Sequence, residues 1–152
     1  MFPILLALTV LGLDQFTKWL VVTRMAEFET IPVIPGFFSI QFVYNTGAAF
    51  GILQNQTWFL VLVATVAAGV ILYYLRRPEA KWGVLPLALG LLLGGTLGNL
   101  VDRVRFGKVV DFFLFYWKDY RFPNFNVADI GITVGVALLA LYLGLTGEKT
   151  AG

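Results

Sequence analysis

Four of the nine acidic residues stand in one stretch of the chain, Asp102, Asp111, Asp119 and Asp129. Three of them sit in the runs Gly98-Asn99-Leu100-Val101-Asp102-Arg103, Val109-Val110-Asp111-Phe112 and Phe125-Asn126-Val127-Ala128-Asp129, and long apolar segments flank the whole stretch. Carboxylates beside hydrocarbon are costly, and such groups mark functional sites by default. The rest of the reactive inventory is thin. There is no Cys, no His and a single Ser, Ser39. That excludes disulfides, thiolate nucleophiles, Ser-His-Asp catalysis and the HExxH zinc site. What remains is a carboxylate pair. Two nearby carboxylates share a proton and titrate as a unit, so one can act as general base on water and the other as general acid. A Mg²⁺ or Ca²⁺ site needs more oxygen ligands than one such pair supplies, and Arg103 and Arg105 oppose a cation. No metal and no other cofactor is expected. On residue types and spacing alone, Asp102 is as good a member of the pair as Asp111. Asp129 and Asn126 also have a simpler use, as caps of the helix that follows.

The elements that must position these groups belong to a membrane protein. Of 152 residues, 59% are hydrophobic and 13% charged, with a mean hydropathy of +0.81. Soluble chains average about 45–50% apolar and about 25% charged residues. Four apolar runs, 2–22, 57–75, 82–101 and 128–145, are each near the roughly 20 residues that cross a bilayer. The chain therefore reads as one integral-membrane domain over residues 1–152. Asp14 and Lys18 interrupt the first span at i, i+4, on one helical face and with the acid first, the order that favours an ion pair; the alternative is that Asp14 faces a functional cavity. Residues 57–75 carry no charge and read as lipid-facing scaffold. Gly90, Gly94 and Gly98 recur at every fourth position of the third span, a seam for close helix approach. Asn99, Asp102 and Arg103 follow on one face at its end.

Between the first two spans, Pro32, Pro35 and Gly36 rule out a helix. Phe38, Ile40, Phe42 and Tyr44 then alternate with Ser39, Gln41 and Val43, which predicts a strand in a small sheet at the membrane surface. It ends in Asn45-Thr46-Gly47-Ala48-Ala49-Phe50-Gly51, a turn that presents the Asn45 amide. Residues 104–124 read as a polar connector whose Phe112, Phe113, Phe115, Tyr116 and Trp117 favour the membrane–water interface. Four spans put both termini on one side, but the distribution of Lys and Arg does not decide which. Asp14, Asp102, Asp111, Asp129 and the Asn45 loop all fall at one membrane face. A transporter would place its charges across the bilayer depth or at the midplane. An assembly partner using the glycine seam would have no use for the polar set. A Ser–Lys pair would need a Lys near Ser39, and none is close in sequence.

The ordered motifs Asp14-Gln15-Phe16-Thr17-Lys18, Asn45 to Gly51, Gly98 to Arg103, Val109 to Phe112 and Phe125 to Asp129 resemble those of the lipoprotein signal peptidases, the type II signal peptidases of bacteria. The resemblance spans nearly the whole chain. It implies an all-α membrane fold of four transmembrane helices, with a small extracytoplasmic β-sheet cradle between spans one and two. It implies an aspartic endopeptidase of the bacterial inner membrane, with both termini cytoplasmic and the site near the extracytoplasmic face. Such an enzyme cleaves prolipoproteins just before the diacylglyceryl-modified cysteine. Its partners would be those substrates and membrane lipid, with no nucleic acid, and the chain is expected to be a monomer. The resemblance maps the catalytic pair onto Asp111 and Asp129. It maps substrate-binding or supporting positions onto Asp14, Asn45, Gly47, Asn99, Asp102, Arg103, Asn126 and Ala128.

Overall fold

The computed structural model describes residues 1–48, 52–77 and 83–147. In chain order the elements are helix α1 (Phe2–Arg24), strands β1 (Thr30–Ile34) and β2 (Phe38–Asn45), helices α2 (Thr57–Leu75) and α3 (Val84–Phe106), strands β3 (Val109–Trp117) and β4 (Tyr120–Arg121), and helix α4 (Val127–Gly147). All four helices are long and apolar enough to cross a membrane. Ala49, Phe50 and Gly51 of the Asn45 loop, Trp82 at the predicted start of the third span, and residues 148–152 lie outside the described residues.

The helices sit where the apolar runs place them, with one difference. α3 continues five residues past the predicted end at Val101, through Asp102, Arg103 and Arg105. It stops at Gly107, whose φ of 72° is the left-handed conformation and whose N–H bonds to the Arg103 carbonyl. Apolar character locates a span, but the C-cap ends the helix. This extra turn and a half carries the polar face of α3 clear of the apolar run.

α3 is the spine of the bundle and packs most extensively on α4 and α1. Its glycines make this possible. A methyl group on Gly94 would stand 2.6 Å from the Ala7 carbonyl oxygen and 2.7 Å from Val10 Cβ of α1. One on Gly98 would stand 2.5 Å from the Asp14 carboxylate. The predicted seam is therefore the α1–α3 contact. Gly95 does the same service toward Ala128 and Ile132 of α4.

The sheet differs from the expectation in its composition. Four strands pair antiparallel in the order β1-β2-β3-β4, so half of them come from the segment after α3. The run Val109–Trp117, read as an interfacial connector, is the strand beside β2. Its sequence VVDFFLFYW shows no alternation because its first four residues are all buried; a strand covered on both faces reads as a continuous apolar run. Between Ile40↔Phe113 and Val43↔Asp111 the register shifts, with one more residue on β2 than on β3. Such bulges re-aim side chains and recur next to active sites. Here the bulge sets Asp111 across from Val43, two residues from Asn45. Pro32 lies in β1, an outer strand of the sheet, where its missing N–H costs no ladder bond on the open side.

Gly94→Ala is expected to lower stability by about 1–3 kcal/mol, the usual cost of overpacking a tight contact. Gly12→Ala on the open face of α1 has nothing within 4 Å and is expected to be neutral or mildly stabilising. Thermal unfolding of both variants in detergent, followed by tryptophan fluorescence, checks the pair.

Candidate active site

The polar residues of five separate segments meet at the end of the bundle beside the sheet. The deepest part is ionic. The Lys18 ammonium donates to Asp14 Oδ2 at 2.8 Å, to Asp102 Oδ2 at 3.0 Å and to Asn99 Oδ1 at 3.0 Å. Asp14 is 0% exposed, Asp102 1% and Lys18 3%. Each carboxylate has further donors. Asp14 Oδ1 accepts the Ala128 backbone N–H at 2.8 Å, Asp102 Oδ2 accepts the Val110 N–H at 3.1 Å, and Asp102 Oδ1 accepts the Gln15 amide at 2.9 Å. These bonds tie α1 to α3, α3 to β3, and α1 to the start of α4.

Two asparagines carry the network outward. The Asn99 amide donates to Asp129 Oδ1 at 2.8 Å. The Asn126 amide donates to Asp111 Oδ1 at 2.6 Å and also reaches Asn99 Oδ1 and the Val110 carbonyl. Asn45 donates to the other oxygen of Asp111 at 3.0 Å, while its carbonyl accepts the Gly47 N–H. Asn126 and Asp129 form a reciprocal cap at the start of α4. Asn126 Oδ1 accepts the Asp129 N–H, and Asp129 Oδ2 accepts the Asn126 N–H. The capping role read from the sequence is thus present, and it uses only one oxygen of Asp129. The segment before α4 is held by Phe125, whose carbonyl accepts the N–H groups of Phe112 and Phe113. Arg103 donates to the Gly47 carbonyl at 2.7 Å and to its own turn at the Asn99 carbonyl. No buried side-chain nitrogen or oxygen among the described residues lacks a partner.

A cavity of about 820 Å³ opens beside this network. Its polar wall includes Asn45, Asn99, Arg103, Asp111 and Asp129, and its apolar walls come from α2 (Leu60, Val63, Ala64, Ala67) and α4 (Ile130, Ile132, Thr133, Val134). Asp14 and Asp102 do not line it. The carboxylates thus divide into two kinds, which the sequence could not do. Asp14 and Asp102 are closed around the Lys18 ammonium; Asp111 and Asp129 face open space, held by amides. α2 is more than scaffold, because four of its residues form one wall. Asp119 is exposed at the β3–β4 turn, away from the network. The Ser39 hydroxyl bonds to the Tyr116 hydroxyl at 3.1 Å, which leaves it no lysine partner.

All ten residues singled out by the sequence come together here. Gln15 and Lys18 join them. Their signal was present, two polar residues inside an apolar span, but spacing paired Lys18 only with Asp14. Burial, and secondarily the neighbouring Asp129 charge, pushes Asp111 up to about 7, against the lowering effect of the Asn45 and Asn126 amides. Among the described residues no cluster of three or more His, Cys, Asp or Glu is arranged around a metal-sized space.

Residues 6–145 match the family described as signal peptidase (SPase) II. The chain belongs to that family. It is similar to the lipoprotein signal peptidase of Symbiobacterium thermophilum, at 59% identity over 149 residues and 98% of each chain. It is similar also to that of Bacillus pumilus, at 45% identity, covering 99% of this chain and 97% of the relative. Two solved structures of bacterial membrane enzymes superimpose with TM-scores of 0.87 and 0.82, each 35% identical over 93% of this chain. They cover 87% and 92% of those chains. Signal peptidase II is a hydrolase that cleaves signal peptides from prolipoproteins, and the four apolar helices fit its multi-pass membrane class.

An unfolded Asp titrates near 3.9, while Asp111 in the fold titrates at about 7. Between those pH values the folded chain keeps a proton that the unfolded chain has lost, so this group makes stability fall as pH rises through that window. Unfolding midpoints measured from pH 4 to 8 are expected to fall with pH in the parent and to flatten in Asp111→Asn.

Proposed function

We propose that Asp111 and Asp129 are the catalytic pair of a prolipoprotein signal peptidase, with the cavity as its substrate site. One observation carries the assignment. Asp111 and Asp129 are the two carboxylates that line the cavity, whereas Asp14 and Asp102 are closed around Lys18.

The pair holds one proton and one water. The ionised Asp129 takes a proton from the water as its oxygen attacks the scissile carbonyl carbon. The protonated Asp111 gives its proton to the carbonyl oxygen. When the tetrahedral adduct collapses, the C–N bond breaks, the amine takes the proton held by Asp129, and the adduct hydroxyl returns one to Asp111. Each partner acts once as acid and once as base. Arg103, on the cavity wall, supports the developing negative charge. Asn99 and Asn126 orient the pair, Asn45 and Gly47 shape the approach, and Ala128 ties α4 to Asp14.

The scissile bond precedes a diacylglyceryl-modified cysteine. The apolar walls of α2 and α4 suit acyl chains and an apolar signal peptide, which enter laterally between those helices. The chain acts as a single domain and a monomer, with no cofactor. Both termini are cytoplasmic, and the sheet lies at the extracytoplasmic face. β1, whose five residues are all exposed and include Ile31, Val33 and Ile34, suits a sheet lying at the membrane surface.

The test is cleavage of a purified diacylglyceryl-modified prolipoprotein in detergent. Asp111→Asn and Asp129→Asn are each expected to lower kcat at least about a thousand-fold, with EDTA without effect. Near-normal cleavage by either variant, or a requirement for metal, overturns the reading. Asp111 must carry its proton, so kcat/KM is expected to decline as pH rises past about 7, a limb read directly from a pH–rate profile.

A further inference from the structure

Lys18 is a buried cation that the mechanism above does not use. It is an unusual choice for that position. A lysine inside a membrane helix is costly, and its ion pairs with Asp14 and Asp102 could be replaced by apolar packing without loss of stability, as buried pairs often can. Its third bond is different. An ammonium has three donors and no acceptor, and Lys18 directs one each to Asp14, Asp102 and Asn99.

We infer that Lys18 is a positioning residue for the carboxylate pair, acting through the Asn99 side chain. The inference rests on the assignment of Asp111 and Asp129 as that pair. An amide has a donor end and an acceptor end. Because the ammonium can only donate, the atom of Asn99 that meets it must be the carbonyl oxygen. That turns the NH₂ group toward Asp129 Oδ1, 2.8 Å away. The opposite orientation would set a carbonyl oxygen against a carboxylate and an NH₂ group against an ammonium. The same Asn99 oxygen accepts the Asn126 amide, whose nitrogen bonds Asp111. One ammonium therefore fixes the donor orientation at Asp129 directly and supports it at Asp111. Asp14 and Asp102 hold the ammonium in place from two sides, and the Val110 N–H and Gln15 amide hold Asp102. The buried charges of α1 become the jig in which the outer amides are set.

The charged groups around Lys18 are Asp14 on its own helix, Asp102 and Arg103 on α3, Asp111 on β3 and Asp129 on α4. Removing Lys18 alone would leave two carboxylates without a cation, so the informative variant removes one charge of each sign. Lys18→Met with Asp102→Asn keeps the net charge of the cluster and removes the donor to Asn99. Activity is measured on a diacylglyceryl-modified prolipoprotein in detergent and normalised to folded protein by thermal unfolding.

The double variant is expected to lose about 10- to 100-fold in kcat, the scale of a misplaced catalytic group, with KM within about threefold of the parent. Because Lys18 acts through Asn99, adding Asn99→Ala to the double variant should lower kcat no further than the worse of the two alone. Losses that multiply in the combined variant, or a double variant with parental kcat, overturn the inference. If the double variant does not fold, Asp14→Asn is added to clear the remaining charge. Failure of that variant to fold also overturns the inference, since it makes the ammonium a structural tie. Asp111→Asn and Asp129→Asn run in parallel. Activity in either of those removes the assignment of the pair, whatever Lys18 does.

Discussion

Burying a charge without a partner is among the largest penalties a fold can incur, and this chain buries Asp14, Lys18 and Asp102 together. The cost is tolerable only because every oxygen and every ammonium proton of the cluster is bonded. Those bonds come from α1, α3, β3 and the first turn of α4, so the cluster cannot be satisfied until all four are in register. Other geometry at the site follows. The Asp102–Val110 bond fixes where β3 begins, which fixes the height of Asp111. The Asp14–Ala128 bond fixes the first turn of α4, which fixes Asp129. The glycines of α3 are what let the helices come close enough, as the approach of Gly98 to Asp14 makes plain.

A good deal of this was legible from residue order. Apolar runs of about twenty residues locate the helices because hydrocarbon thickness sets a length. Alternation locates β2, although its burial does not follow the alternation: its two buried residues, Ser39 and Phe42, point to opposite faces. β3 was not legible: with both faces covered at its start, Val109–Trp117 shows no period of two. Polarity does not mark the end of α3, because Gly107 supplies it. At the site, the polar residues could be gathered on one face by counting spans, but their bonds could not be counted that way. Lys18 meets Asp14 through a local spacing that any reader can see. Its meetings with Asp102 and Asn99 depend on how α1 lies against α3, which is a property of the glycine seam.

That dependence also separates Asp102 from Asp111. Both are buried, and both precede or follow apolar residues. They differ in what stands on the other side. Asp102 looks inward to an ammonium, while Asp111 looks outward to a cavity. A carboxylate closed around an ammonium has no face left toward a substrate. One held by neutral amides, in a buried wall, can keep its proton near neutral pH.

The order of the elements has a consequence for how the protein comes into being. The parts that meet at the site are drawn from nearly the whole chain: Asp14 from the first helix, Asn45 from the sheet, Asn99 from the third helix, Asp129 from the last. A ribosome delivers them one after another. While only α1 has entered the bilayer, Asp14 and Lys18 already neutralise each other along one helix face, so the first segment can wait without an exposed charge. When α3 arrives, Asp102 and Asn99 close around the same ammonium. Asp111 follows in β3, but it stands alone until the final helix is inserted and brings Asp129. A nascent chain lacking its last segment therefore has neither the Ala128 N–H that completes the bonding of Asp14 nor Asp129 to face the cavity beside Asp111. The ionic core and the carboxylate wall of the cavity are thus both finished by the last span to be made.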